Sequence, residues 1–168
     1  MFKLALAMFW LEAKKGHLKW KVTDLARKAN VSRTLIYRYF GNTREKILVN
    51  SLQIFCDEFY GFSGDLSELS FVDKIVKARE LMAGNFEAVL FYQRWRTQKS
   101  WIQHELIRVE KKFQSKLKKS FPHLDENSIS ALHAFIHGIV TAPFYTPEDA
   151  RRAVLILSSQ LCRAVEYA

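Results

Sequence analysis

The 168-residue chain is predicted to be all-α, and three observations carry that prediction. Only six glycines and three prolines punctuate it, which suits long helices better than many short strands. Apolar residues recur at steps of three and four, most plainly at Ile102, Leu106, Val109, Phe113 and Leu117. Helix-start signals stand where such runs open: Ser32, Asp125, and Thr146 followed by Pro147 and acidic residues. Apolar residues make up 49% of the chain, enough for a globular core rather than a disordered chain.

About nine helices follow in order. "MFKLALAMFWL" reads as a first helix packed all round; its eight-residue apolar run, Leu4 to Leu11, is short for a secretory leader and lacks a small-x-small cleavage site. Gly16 closes it. A second helix opens near Val22, and a third covers Arg33 to Phe40 with Ser32 as its N-cap. Residues 43–60 form a long helix ending at Gly61, and "GFSGDLSELS" is a loop. Residues 71–83 and 86–98 form two more, separated by Gly84-Asn85. The stripe just named places a helix over 100–120, which "FPHLDENS" breaks. The eighth helix runs from Asp125 to about Ala142, and the ninth opens at Thr146. The expected division is 1–48 and 49–168. No apolar run approaches the ~18 residues of a membrane span.

Charge is uneven. The formal net charge is +9, yet residues 1–50 hold eleven basic against three acidic residues, and residues 51–168 fifteen against fourteen. A basic excess on one small unit favours a polyanion through phosphate neutralisation and counterion release. Cys56 and Cys162 have no metal-type or CxxC spacing, which fits a reducing cytoplasm and implies neither a zinc site nor a disulfide framework. His133 and His137 are four apart, as chelating histidines can be, but no third ligand follows at fitting spacing; they read as core or interface residues, and no metal or cofactor is expected. No phosphate loop, nucleophile elbow or paired acid motif points to an enzyme. The lysine-rich run from Arg108 to Lys119 reads as a solvated helix face.

Within the basic segment, "VTDLARKANVSRTLIYRYF" has a helix-turn-helix pattern. Leu25, Val31, Ile36 and Tyr39 can face inward together, and the small Ala26 lets two helices cross closely. Asn30 stands in the turn, where φ > 0 is often needed and Asn tolerates it. Arg33, Thr34, Leu35, Tyr37 and Arg38 are left outward, where bases and phosphates of a major groove would lie. Lys21 and Lys46 are expected to hold phosphates.

The stretch "VTDLARKANVSRTLIYRYFGNTREKIL", together with Gly16, resembles the DNA-binding signature of the tetracycline-repressor (TetR) family of bacterial regulators. The likeness is specific over residues 5–48 and architectural beyond. It implies a three-helix DNA-binding domain, then a helical domain that dimerises and often binds a small-molecule inducer. Departures are plain. Trp20 and Lys21 stand where the family usually has Thr or Ser opening the second helix. Asn30 replaces a frequent Gly, and Leu35 a frequent Thr. "GNTREKIL" is one residue longer than usual, and the chain is short for the family.

The resemblance locates two further regions. An inducer pocket is expected among Phe86, Leu90, Tyr92, Arg94, Trp95, Trp101 and His104, aromatic walls with a few polar groups; a filled core is the competing reading. A homodimer interface is expected along Ser130, Ala134, Gly138 and Ala142 of the eighth helix and Val154, Leu157, Leu161 and Val165 of the ninth. The expected partners are double-stranded DNA as a palindromic operator and a second copy of the chain, with no membrane. The expected activity is transcriptional regulation, in the sense of repression. A helical scaffold binding an acidic protein partner is the alternative.

Overall fold

The computed structural model describes the backbone of residues 1–60 and 70–166, with side chains as far as Leu157 and at Ser159. Nine helices and no strand occur among the described residues: α1 (Phe2–Lys15), α2 (Val22–Ala29), α3 (Arg33–Phe40), α4 (Arg44–Phe59), α5 (Phe71–Ala83), α6 (Phe86–Thr97), α7 (Trp101–Ser120), α8 (Glu126–Thr141) and α9 (Pro147–Glu166). The expected stop at Gly61 and its loop over 61–69 lie outside the described residues. No described helix is long and apolar enough to cross a membrane.

The residues form two compact units: Met1–Asp57 with Asn85–Val109, and Glu58–Gly84 with Glu110–Ala168. In the first, α1 carries the core. It packs on α2 and on α6, so it is buried on nearly every side, through Leu4, Ala5, Met8, Phe9 and Leu11. Phe9 meets Phe55 edge-on at 5.0 Å and Phe91 at 4.6 Å, the spacing favoured by aromatic quadrupoles. The segment 1–48 lies wholly in this unit, which extends beyond it because α6 lays Ala88, Val89, Phe91 and Tyr92 inward.

In the second unit, α5 packs on α8 and α9. Ile75, Ala78 and Met82 are buried on α5, Ile129, Leu132 and Ile136 on α8, and Ala150 and Val154 on α9. Arg79 is buried among them. Its guanidinium donates to the carbonyls of Tyr145 (2.6 Å), in the connection between α8 and α9, and Val140 (3.3 Å), in the last turn of α8, an acceptor that the helix end leaves open. Burial pulls its pKa down. His133 is also a core residue. Gln114 lies 3.1 Å from its Nδ1, and Tyr60 and Phe113 pack on its ring. Among the described residues no three metal-ligating side chains gather.

Candidate nucleic-acid interface

The turn between α2 and α3 is built as its residues require. Asn30 adopts a left-handed conformation, φ 54° and ψ 50°, and its N–H closes back on α2. Val31 N–H then reaches the Ala26 carbonyl at 3.0 Å. The Ser32 hydroxyl accepts the Leu35 N–H at 3.2 Å and starts α3. On α3, Ile36 and Phe40 are fully buried, one turn apart. Arg33, Thr34, Leu35, Tyr37 and Arg38 all face solvent.

Tyr39 corrects the expected inward set. It is 50% exposed, and the Arg38 guanidinium lies 5.4 Å from its ring centroid. Phe40 takes the inward place because an eight-residue helix has room for one lower anchor beside Ile36. The wholly apolar ring fits there, whereas a phenol would bury a hydroxyl. The outward face therefore carries two tyrosines and two arginines.

Lys21 is the N-cap residue of α2, but its side chain accepts no hydrogen bond. Asp24 closes the helix start instead, accepting the Lys21 N–H at 2.9 Å and Lys15 Nζ at 2.7 Å. Those contacts, the Lys15 bond foremost, hold its carboxyl below the usual range. At α4, the Thr43 hydroxyl accepts the Lys46 N–H at 3.2 Å. Glu45's own N–H and then the Thr43 hydroxyl lower the Glu45 pKa. Lys21, Val22, Asn42, Thr43 and Glu45 line one open depression, so the starts of α2 and α4 share it. Partial positive charge from two helix N-termini and the Lys21 ammonium suits a phosphate there, against the opposing charge of Glu45. Lys46 is exposed on the first turn of α4, its stem beside Gly41. Asn42 and Thr43 were missed by sequence reasoning. A Thr two residues before a Glu and four before an apolar pair, Ile47-Leu48, was the available cap signal.

The proposed pocket residues divide. Phe86 (56% exposed), Leu90 (48%), Arg94, Trp101 and His104 face solvent, while Tyr92 and Trp95 are buried. Residues 86, 90 and 94 share the outer stripe of α6, and 92 and 95 lie on the stripe turned inward, so the seven enclose no common cavity. A small, partly open apolar space does lie in the second unit, between Phe59, Ile75, Phe113 and Val140, but at about 30 Å³ it has room for roughly one water.

The proposed dimer residues divide as well. Ser130, Ala134 and Gly138 form an exposed small-residue stripe on α8, with Ala142 partly covered. Val154 is 0% exposed, held inside its own unit where α9 packs on α5, so it is not on an outer face. Leu157 is partly buried, and the side chains of Leu161 and Val165 lie outside the described residues. Among the described side chains of α9, Leu155 and Ile156 are the large apolar residues that are exposed.

The first unit thus has the arrangement of a helix-turn-helix protein, with a basic, aromatic outer helix behind a left-handed turn. No family model and no curated protein sequence matches the chain. A solved structure does: a chain from Rhodococcus sp. proposed to be a TetR-family transcriptional regulator, with a TM-score of 0.60 over 98% of this chain and 96% of that one, at 20% identity. The all-α fold is therefore of the kind seen in that protein.

Proposed function

We propose that the protein is a sequence-specific DNA-binding transcriptional regulator, a repressor that occupies a palindromic operator as a homodimer. The observation that carries this reading is the outer face of α3. Arg33, Thr34, Leu35, Tyr37 and Arg38 are all exposed on a helix seated by the Asn30 turn, in the segment that holds nearly all the excess positive charge. An arginine fork there bonds guanine O6 and N7, Leu35 meets a thymine methyl, and Tyr37 reaches a phosphate. Lys21 and Lys46 neutralise flanking phosphates, with the depression between the starts of α2 and α4 as the seat of one. The fold of the Rhodococcus chain supports the same reading. Two-fold pairing through the exposed stripe of α8 and through Leu155 and Ile156 of α9 would place two α3 helices on two half-sites.

The test is a gel shift with sheared genomic DNA at two salt concentrations, followed by selection of the bound fragments. Binding that weakens steeply with salt and enriches a palindrome is expected. Absence of any salt-dependent shift would sink the reading and leave the basic unit as a surface for an acidic protein.

A further inference from the structure

The loop between α1 and α2, residues 16–21, ends at Lys21, a residue of the interface. It is held in an unusual way. Leu18 has φ 53°, a region that costs a branched side chain about 1–3 kcal/mol and persists only when surroundings over-determine it. Two groups do so. From one side the Arg44 guanidinium donates to the Leu18 carbonyl at 2.6 Å and to the Trp20 carbonyl at 3.5 Å. From the other, Glu12 of α1, 4% exposed, accepts from Trp20 Nε1 at 2.5 Å and from the Leu18 N–H at 3.0 Å. Its second oxygen lies 3.0 Å from His17 Nδ1, and a carboxylate can only accept, so Nδ1 carries the proton.

Among the described residues His17 is the one cationic-capable side chain within ion-pair distance of this buried carboxylate. A buried carboxylate without a counter-charge is costly, and histidine changes charge between pH 5 and 8. The His17 ring also rests on Trp95 of α6, with centroids 4.7 Å apart, and lies 6.2 Å from Trp101 of α7. Glu45 of α4 is a second acidic group close enough to interact with it; the Arg44 guanidinium is bonded to the Leu18 carbonyl, and that of Arg94 lies over the Trp95 ring.

We infer that His17 is a positioning residue for DNA binding: protonated, it neutralises buried Glu12, tightens the 16–21 loop and fixes Lys21 and the start of α2 against the phosphate backbone. This rests on the DNA-binding reading above. Protonation favours the bound form, so affinity is higher at the lower pH.

The experiment measures affinity for a labelled duplex of random sequence at low salt, at pH 6 and pH 8, for wild type, His17→Asn and Glu12→Gln. Asn retains a donor without the charge; Gln retains the acceptor for Trp20 and Leu18 but removes the carboxylate. Wild type should bind about fivefold tighter at pH 6, with both variants changing by about twofold or less. If Glu12→Gln retains the wild-type slope, His17 acts through net charge alone and the inference is overturned; a retained slope in His17→Asn overturns it too. Should Glu12→Gln fail to fold, Glu12→Asp, which withdraws the carboxylate by one methylene, decides the same comparison. If wild type binds at neither pH, the DNA reading has failed. The pair is then decided by tryptophan fluorescence, which should titrate in wild type and lose that titration in both variants; titration persisting in either variant overturns it.

Discussion

An arginine that reads a base and a lysine that holds a phosphate fail differently when removed. Arg38→Ala should relax preference at one base pair of each half-site, by about 1–3 kcal/mol of discrimination. Lys46→Ala should weaken all sequences alike and lower the salt slope by about one unit per protomer. Titrating each variant against the selected operator and its single-base changes, across a salt series, separates them; uniform weakening by Arg38→Ala would make Arg38 a phosphate anchor. Gly41 makes a second prediction at this scale. It has φ 102°, and an added Cβ would lie 2.9 Å from Lys46 Cβ. Gly41→Ala should therefore cost about 1–3 kcal/mol in denaturant unfolding, through backbone strain and a clash that displaces the start of α4. A cost near zero would show that the α3–α4 turn relaxes freely.

Helix ends depend on single caps. Removing the α3 cap by Ser32→Ala should destabilise by about 1 kcal/mol, and, under the proposed function, in which α3 reads the DNA, should weaken DNA binding beyond that loss. Chemical denaturation beside a binding titration checks both halves. Acid should act at the other caps. The Ser128 N–H holds the Asp125 carboxyl below its usual range, the Thr146 hydroxyl does so for Asp149, and the Ser70 hydroxyl followed by Arg151 for Asp73. Each folded value lies below the unfolded value of about 3.9. The stability these groups contribute is therefore complete above that value and is lost as pH falls through the lowered ones. Melting temperature should hold from pH 7 to about pH 5 and fall below about pH 4. Asp125→Asn, which caps without charge, should leave the neutral melt nearly unchanged and flatten part of the acid loss. An unchanged acid profile in that variant would remove Asp125 from the account.

At the scale of the whole molecule, the proposed dimer would use a face of α8 that is exposed in the single chain. Gly138 has open space around its Cβ position, so Gly138→Leu is accommodated within one chain and gains helix propensity. The same substitution would block close approach of a second α8. It should leave the melt of the monomer unchanged or higher while weakening the dimer more than tenfold, a cost above about 1.4 kcal/mol. Leu155→Asp should weaken the dimer too, by placing a charge among apolar residues. Sedimentation equilibrium decides, and a wild type monomeric at micromolar concentration would end the dimer reading.

The local order of this protein was legible without its tertiary structure. Helix periods, the Asn30 turn and the Ser32, Asp125 and Thr146 caps depend on neighbours within a few residues, and the structure has each as expected. The outward set Arg33, Thr34, Leu35, Tyr37 and Arg38 was legible for the same reason, since Ile36 marks the inner side of a short helix. Periodicity names a face but not what packs on it, and each miss lies there. Tyr39 and Phe40 compete within a turn for one inward place, which α3's packing decides. Val154 was expected outward and is claimed by α5, a helix more than seventy residues away in sequence. Phe86 and Tyr92 sit on opposite stripes of α6, and only the position of α1 decides which stripe is core. Glu12, at the end of an apolar helix, had no sequence signal at all: its role exists because Trp20, Leu18 and His17 fold back onto it, and such long-range closure is set by tertiary packing rather than local propensity.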